Sequence, residues 1–289
     1  MTAFPPLLDF LRKKPPVLAK GPLAVILIED DAVLTETLRH HAALGFRHLL
    51  ALSPRPVAVP GDLAGRVSNL GWSCHHPDAL PDAVNAVIRA VAPGTWVFCG
   101  FNAEFLFFPF SETRSIGDML AFHAEERRDA MLCYVIDLYA PDLRVAPDGV
   151  SLTDAMFDGA GYFALGRTGA DGAPVDRDLD FHGGLRWRFE EHVPPARRTI
   201  SRIALFRTAQ GLRMTADHRF NAPEYNTYSC SWHHNLTAAV ASFRAAKALA
   251  TNPGSREAIG TFVWRNSRPF EWRAQQLMDL GLMEPGQWF

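Results

Sequence analysis

Six consecutive apolar residues, Leu23-Ala24-Val25-Ile26-Leu27-Ile28, stop abruptly at Glu29-Asp30-Asp31. A strand with one wet face alternates apolar and polar residues. An unbroken run is expected of a strand covered on both faces, as inside a parallel sheet. The acidic residues that follow suit a helix N-terminus. Leu34, Leu38, His41 and Ala42 then recur at helical spacing until Gly45 closes the pattern. His48 to Leu52 is the next expected strand. Strand, helix and strand in this order make the opening unit of an α/β domain.

The alternation continues. Asp82 precedes Val84, Val87, Ile88 and Val91, a one-faced helical stripe that Pro93-Gly94 ends. Thr95 to Cys99 reads as another buried strand, and Ser115-Ile116-Gly117-Asp118 as a helix start ahead of Met119, Leu120 and Phe122. Ala130 to Tyr139 is the longest expected strand, and Ile203 to Phe206 a shorter one. Between 141 and 180 periodicity disappears and Pro, Gly and Asp are frequent, so a long irregular stretch is expected. Leu236 to Leu249 and Phe270 to Met283 read as two closing amphipathic helices. Residues 1–21, rich in Pro and Lys, read as an irregular arm, and 22–289 as one domain with a C-terminal helical extension.

Apolar residues make up 48% of the chain and charged residues 21%, which excludes a disordered polymer and supplies a core without staples. Lys plus Arg is 29 against 31 for Asp plus Glu, a net charge of −2, which excludes non-specific nucleic-acid binding. Cys74, Cys99, Cys133 and Cys230 form no CxxC pair, and Cys99 and Cys133 fall inside apolar runs. They read as buried thiols rather than disulfide or zinc ligands. The start lacks an apolar run of signal-peptide type, and no stretch approaches the ~20 apolar residues of a membrane helix, so a cytoplasmic location is expected.

Several segments carry chemistry-bearing residues. Gly159-Ala160-Gly161-Tyr162-Phe163-Ala164 matches a GxGxxA pattern, but it lies in the loop-rich middle and not between an opening strand and helix, as a dinucleotide site requires. No Walker motif or GxSxG elbow is present. His41 sits on its helix's apolar stripe and reads as a packing residue. His182, His218 and His233 have no zinc-type spacing. In His182-Gly183-Gly184-Leu185-Arg186-Trp187-Arg188 the glycines permit close backbone approach. Two arginines at i and i+2 of an extended segment project to one side, where their planar forks suit phosphate. The competing reading is a solvated strand whose arginines pair with Glu190 and Glu191.

Taken in order, these segments resemble the bacterial family-two-like glycosyltransferases. Ile28-Glu29-Asp30, Glu36, His41 and Leu44-Gly45-Phe46 resemble the family's opening, and Trp96-Val97-Phe98 through Glu104-Phe105-Leu106 its central strand with a DxD motif. Gly183-Gly184-Leu185-Arg186 resembles its GG-x-R segment, Arg202 to Arg207 its K-x-P-L-x-R, and His218 with His233 its late histidine region. The resemblance implies a GT-A fold, a mostly parallel sheet flanked by helices. Residues 22–140 would form a nucleotide-binding-like half, and 141–289 the acceptor side with the C-terminal helices. It also implies a nucleotide-sugar donor and an acceptor that is a glycan, a lipid or a protein. Glu29, Asp30, Asn102, Gly183, Gly184, Arg186, Arg188, His218 and His233 would then line the donor site, with Glu104 or Asp217 as the base that takes the acceptor's proton.

The sequence departs from that family at the motif's centre. Phe101 and Ala103 stand where the two aspartates would hold a divalent ion, and neither side chain can ligate one. Two expectations follow. Either transfer proceeds without a conventional metal, with Arg186, Arg188, Arg55 or Arg114 taking the diphosphate charge, or the protein is a non-catalytic relative that binds a sugar, a nucleotide or a protein.

Overall fold

The structure, a computed structural model, describes residues 4–169, 171–226 and 235–288. In chain order the first elements are α1 (Leu7–Arg12), β1 (Leu23–Leu27), α2 (Leu34–Ala43), β2 (His48–Ser53), β3 (Val67–Gly71) and α3 (Ala79–Ala90). Next come β4 (Trp96–Phe101), β5 (Glu104–Phe107), α4 (Ile116–Glu125), β6 (Ala130–Tyr139), β7 (Met156–Asp158), β8 (Phe163–Thr168) and β9 (Pro174–His182). The chain closes with α5 (Gly184–Arg188), β10 (Ser201–Arg207), β11 (Ala238–Ser242), α6 (Arg244–Thr251), β12 (Ser267–Pro269) and α7 (Ala274–Asp279). No helix of the described residues is long and apolar enough to cross a membrane.

The chain divides into two compact units. The first comprises Met1–Ala103, Thr113–Leu132 and Ile203–Asn226, and the second Glu104–Glu112, Cys133–Arg202 and Thr227–Phe289. The first unit carries a parallel sheet in the order β3-β2-β1-β4, with β10 antiparallel against β4. All five residues of β1 are buried, as its unbroken apolar run demands. The register pairs Leu27 of β1 with Leu52 of β2 and with Phe101 of β4. Strand order runs outward from β1 through β2 to β3, then returns to the other side of β1 at β4. In an α/β sheet a crevice opens at such a reversal, outside the carboxyl ends of the strands. This α/β arrangement is compatible with a Rossmann-like fold.

The expected arm holds a helix. Leu7 and Leu11 of α1 are buried, and α1 packs on α3 and β3 within the same unit. The amide of Gly71 donates to Pro5 O at 2.9 Å, which ties this segment to the edge of the sheet. Its i, i+4 leucines gain a core face that a count of prolines and lysines did not suggest.

In the second unit β11 lies parallel to β6 and antiparallel to β5, β7 is antiparallel to β6, and β12 to β7. A cluster of Tyr139, Leu185, Ala246, Leu249, Ile259 and Phe262 forms part of its core. Three expectations fail here. Residues 141–180 contain β7 and the β8–β9 hairpin; β8 is exposed along most of its length, so it shows no apolar alternation. The segment read as a helix from Leu236 is β11, Ala-Ala-Val-Ala-Ser, buried throughout between β5 and β6, and only α6 is helical. A short run of small apolar residues fits either state, and here the central sheet position decides. The last expected helix, Phe270 to Met283, is reduced to α7.

Candidate functional site

The first unit's sheet offers the best-placed polar edge. β1 and β4 end side by side, and Asn102, fully buried just beyond β4, joins them. Its amide N–H donates to Leu27 O at 2.8 Å. Its Oδ1 accepts from the Glu29 amide at 2.9 Å, and its Nδ2 donates to Asp30 Oδ1 at 2.6 Å and to Ala32 O at 3.2 Å. Asp30 Oδ1 also accepts from the Ala32 amide at 3.0 Å, so this carboxylate shapes the turn that leads to α2 and does not cap the helix. Three predicted site residues, Glu29, Asp30 and Asn102, therefore meet in one hydrogen-bonded cluster. Glu29 is half-buried and Asp30 exposed.

The residues on either side of Asn102 are closed in. Phe101 is 5% exposed and Ala103 0%. Ala103 sits at φ 61, and its amide donates to Thr37 Oγ1 of α2 at 3.0 Å. Both side chains are packed into the core, and Ala103 lies against α2. Among the described residues no group of three His, Cys, Asp or Glu could hold a metal ion.

Next along the edge, at the end of β2, Ser53 donates its hydroxyl to Arg55 O at 2.6 Å. The Arg55 guanidinium reaches Asp31 Oδ2 at 2.5 Å, with both side chains more than half exposed. Such a pair is worth at most about 1 kcal/mol, so Arg55 can exchange Asp31 for a ligand anion at little cost. Cys74 is buried, with its thiol 3.3 Å from Leu52 O, and burial pushes its pKa up to about 11. It stays a thiol at neutral pH and is no nucleophile. The edge thus offers carboxylates suited to paired hydroxyls and one guanidinium suited to a phosphate.

The arginines expected to bind diphosphate are engaged within the second unit. Gly184 to Arg188 is a single helical turn, so Arg186 and Arg188 do not share a side as they would on a strand. Arg186 Nε lies 3.3 Å from Asp137 Oδ1, and its Nη1 donates to Thr199 O at 2.9 Å. Arg188 donates to Asp158 through Nε at 2.8 Å and Nη2 at 3.2 Å, and to Phe262 O. Asp158, 1% exposed, also accepts from Tyr139 Oη at 2.6 Å and from Trp264 Nε1 at 2.8 Å. Both guanidiniums are thereby neutralised by buried aspartates, and not by Glu190 and Glu191.

The glycines do permit close approach, but to the protein itself. A Cβ on Gly184 would lie 2.9 Å from Asp137 Oδ2, and one on Gly183 would lie 2.3 Å from the Tyr162 ring. Burial raises Asp137 to about 6, opposed by the charge of Arg186.

Glu104 is fully buried, and Arg202 grips it with two bonds of 3.2 and 2.7 Å, while Ser242 Oγ adds a third at 3.3 Å. A base for an acceptor hydroxyl needs access that this carboxylate lacks. Asp217 and His218 lie in the first unit, on the turn between Met214 and Phe220 that Asn85 of α3 anchors with two 2.8 Å bonds to Met214. Burial alone would raise the Asp217 pKa, but a bond from Thr215 Oγ1 at 2.5 Å and the charge of Arg219 lower it overall. His218 adopts φ 63 there. His233 lies outside the described residues, as does Cys230.

Gly159 to Gly161 leads into β8 and not into a helix, so no dinucleotide turn forms. His41 is a packing residue, buried against Phe98 with ring centroids 4.8 Å apart. Asp137 and Asp158 escaped the sequence reading. Their signal is a carboxylate inside or ending an otherwise apolar strand, which calls for a cation partner. Neither protein-family models nor curated proteins give a match to this chain.

Proposed function

We propose that this protein is a non-catalytic relative of the GT-A glycosyltransferases that holds a nucleotide sugar at the carboxyl edge of its first unit's sheet, without a divalent ion. The observation that carries this reading is the commitment of Asn102 to Glu29, Asp30 and Ala32 at the β1–β4 reversal, between the closed-in Phe101 and Ala103. The edge stays preorganised for a ligand while the metal position is filled. Carboxylates at Glu29, Asp30 and Asp31 favour the hydroxyl pairs of ribose or sugar, and Arg55 favours one phosphate. The groups a transferase needs for proton removal and charge stabilisation are spent in buried pairs, Glu104 with Arg202, Arg186 with Asp137, and Arg188 with Asp158.

One observation favours a second reading, transfer without metal. The exposed Arg55 could take the leaving diphosphate's charge. A thermal-shift panel of nucleotide sugars in EDTA, followed by measurement of nucleoside diphosphate release, separates the two. Binding without release is the expected result. Sustained release with an acceptor establishes the second reading, and no shift with any donor overturns both.

A further inference from the structure

At the opposite, amino-terminal edge of the same parallel sheet lies a cavity of about 290 Å³. Lys20, Arg47, His48 and Gly65 line it, with Pro16 and Val17 as its apolar side, and no acidic side chain contributes. Arg47 and His48 lie at the start of β2, and Lys20 just before β1. Neither Lys20 nor Arg47 has a carboxylate partner among the described residues. Arg66, whose charge is felt by His48, is turned away onto the carbonyls of Ala42 and Phe46. His48 Nε2 is 2.8 Å from Ser68 Oγ, which holds the ring in place. Gly65, at φ 88, has open space where a Cβ would stand, so backbone is accessible to a ligand there.

Two cations, Lys20 and Arg47, facing one cavity with no acid in its lining make a local excess that suits an anion. We propose that this cavity binds the phosphate group of a small phosphorylated solute. Lys20 acts as a point charge and Arg47 as a fork on the phosphate oxygens. Two side-chain charges match a phosphate dianion better than a monocarboxylate. The volume lies just below the usual range for ligand pockets and is enough for a phosphate group with a small attached body. The site is separate from the carboxyl edge, roughly 16 Å away along a five-residue strand.

Calorimetric titration of the full chain with inorganic phosphate and with pyrophosphate, at about 150 mM salt to screen loose surface attraction, tests this. The proposal expects saturable binding that persists in Arg55→Ala, where the carboxyl edge has lost its guanidinium, and that the Lys20→Ala/Arg47→Ala double variant weakens at least about tenfold. Both changed side chains are exposed, and an unaltered melting temperature shows that the fold is intact. No saturable heat up to about 10 mM, or equal affinity in the double variant, overturns it. Loss of binding in Arg55→Ala alone would place the anion at the carboxyl edge, which also overturns this site but supports the function proposed above.

Discussion

Asn102 Nδ2 donates to Asp30 Oδ1 across 2.6 Å, which fastens the end of β4 to the turn after β1. Because Asn102 is fully buried, its loss leaves the Glu29 amide and the Ala32 carbonyl without their partner. Asn102→Ala is therefore expected to cost about 2–3 kcal/mol, seen as a lower urea midpoint with unchanged slope. It should also abolish nucleotide-sugar binding. A stability change below about 0.5 kcal/mol would show that the cluster holds nothing together.

Placing an acid at position 103 should break the fold before it creates a metal site. Ala103 is 0% exposed, so Ala103→Asp buries a carboxylate beside α2 with no cation to meet it. A loss of several kcal/mol follows, and millimolar Mg²⁺ or Mn²⁺ should not raise the melting temperature. A metal-dependent rise would contradict the closed position described here.

Glu104 and Arg202 form a buried pair with two bonds, and breaking one side strands a charge. Arg202→Leu is expected to cost about 3–5 kcal/mol, whereas Glu104→Met with Arg202→Leu should recover most of that loss. Equal costs for the single and double variants would contradict an ion pair whose main role is mutual neutralisation.

These partners also mark the limit of what the sequence reveals. β1, β2, β4 and β6 are legible from unbroken apolar runs and α2 from its helical period, and Ser115 forms the expected capping box with Asp118 at the start of α4. β8 is illegible because water covers it, and β11 because five small residues carry no period of their own. β9 did carry a signal: in Pro-Val-Asp-Arg-Asp-Leu-Asp-Phe-His, acids alternate with other residues, and Asp178 and Asp180 both reach Arg167. At the candidate site, Glu29, Asp30 and Asn102 could be located from the strand ends. The fate of Arg186 and Arg188 could not, since Asp137 and Asp158 lie 49 and 30 residues away in sequence.

Asp137 makes a pH prediction. Burial first, and then the nearby Asp158, raise its folded pKa to about 6, while Arg186 pulls it down. An acid whose folded pKa exceeds its unfolded value of about 3.9 favours folding most when protonated. Its contribution is fully present below about pH 4 and is lost as pH rises to about 6, on the order of 3 kcal/mol. Stability measured from pH 4 to 7 should therefore fall with pH more steeply in the native chain than in Asp137→Asn. Parallel curves would show that Asp137 keeps an ordinary pKa.

The most direct test of the account is calorimetric titration of the native chain with a set of nucleotide sugars, once in EDTA and once in Mn²⁺. The account predicts that a donor binds with the same affinity in both and that Arg55→Ala weakens it. Binding that appears only with Mn²⁺, or no binding by any donor, would contradict it.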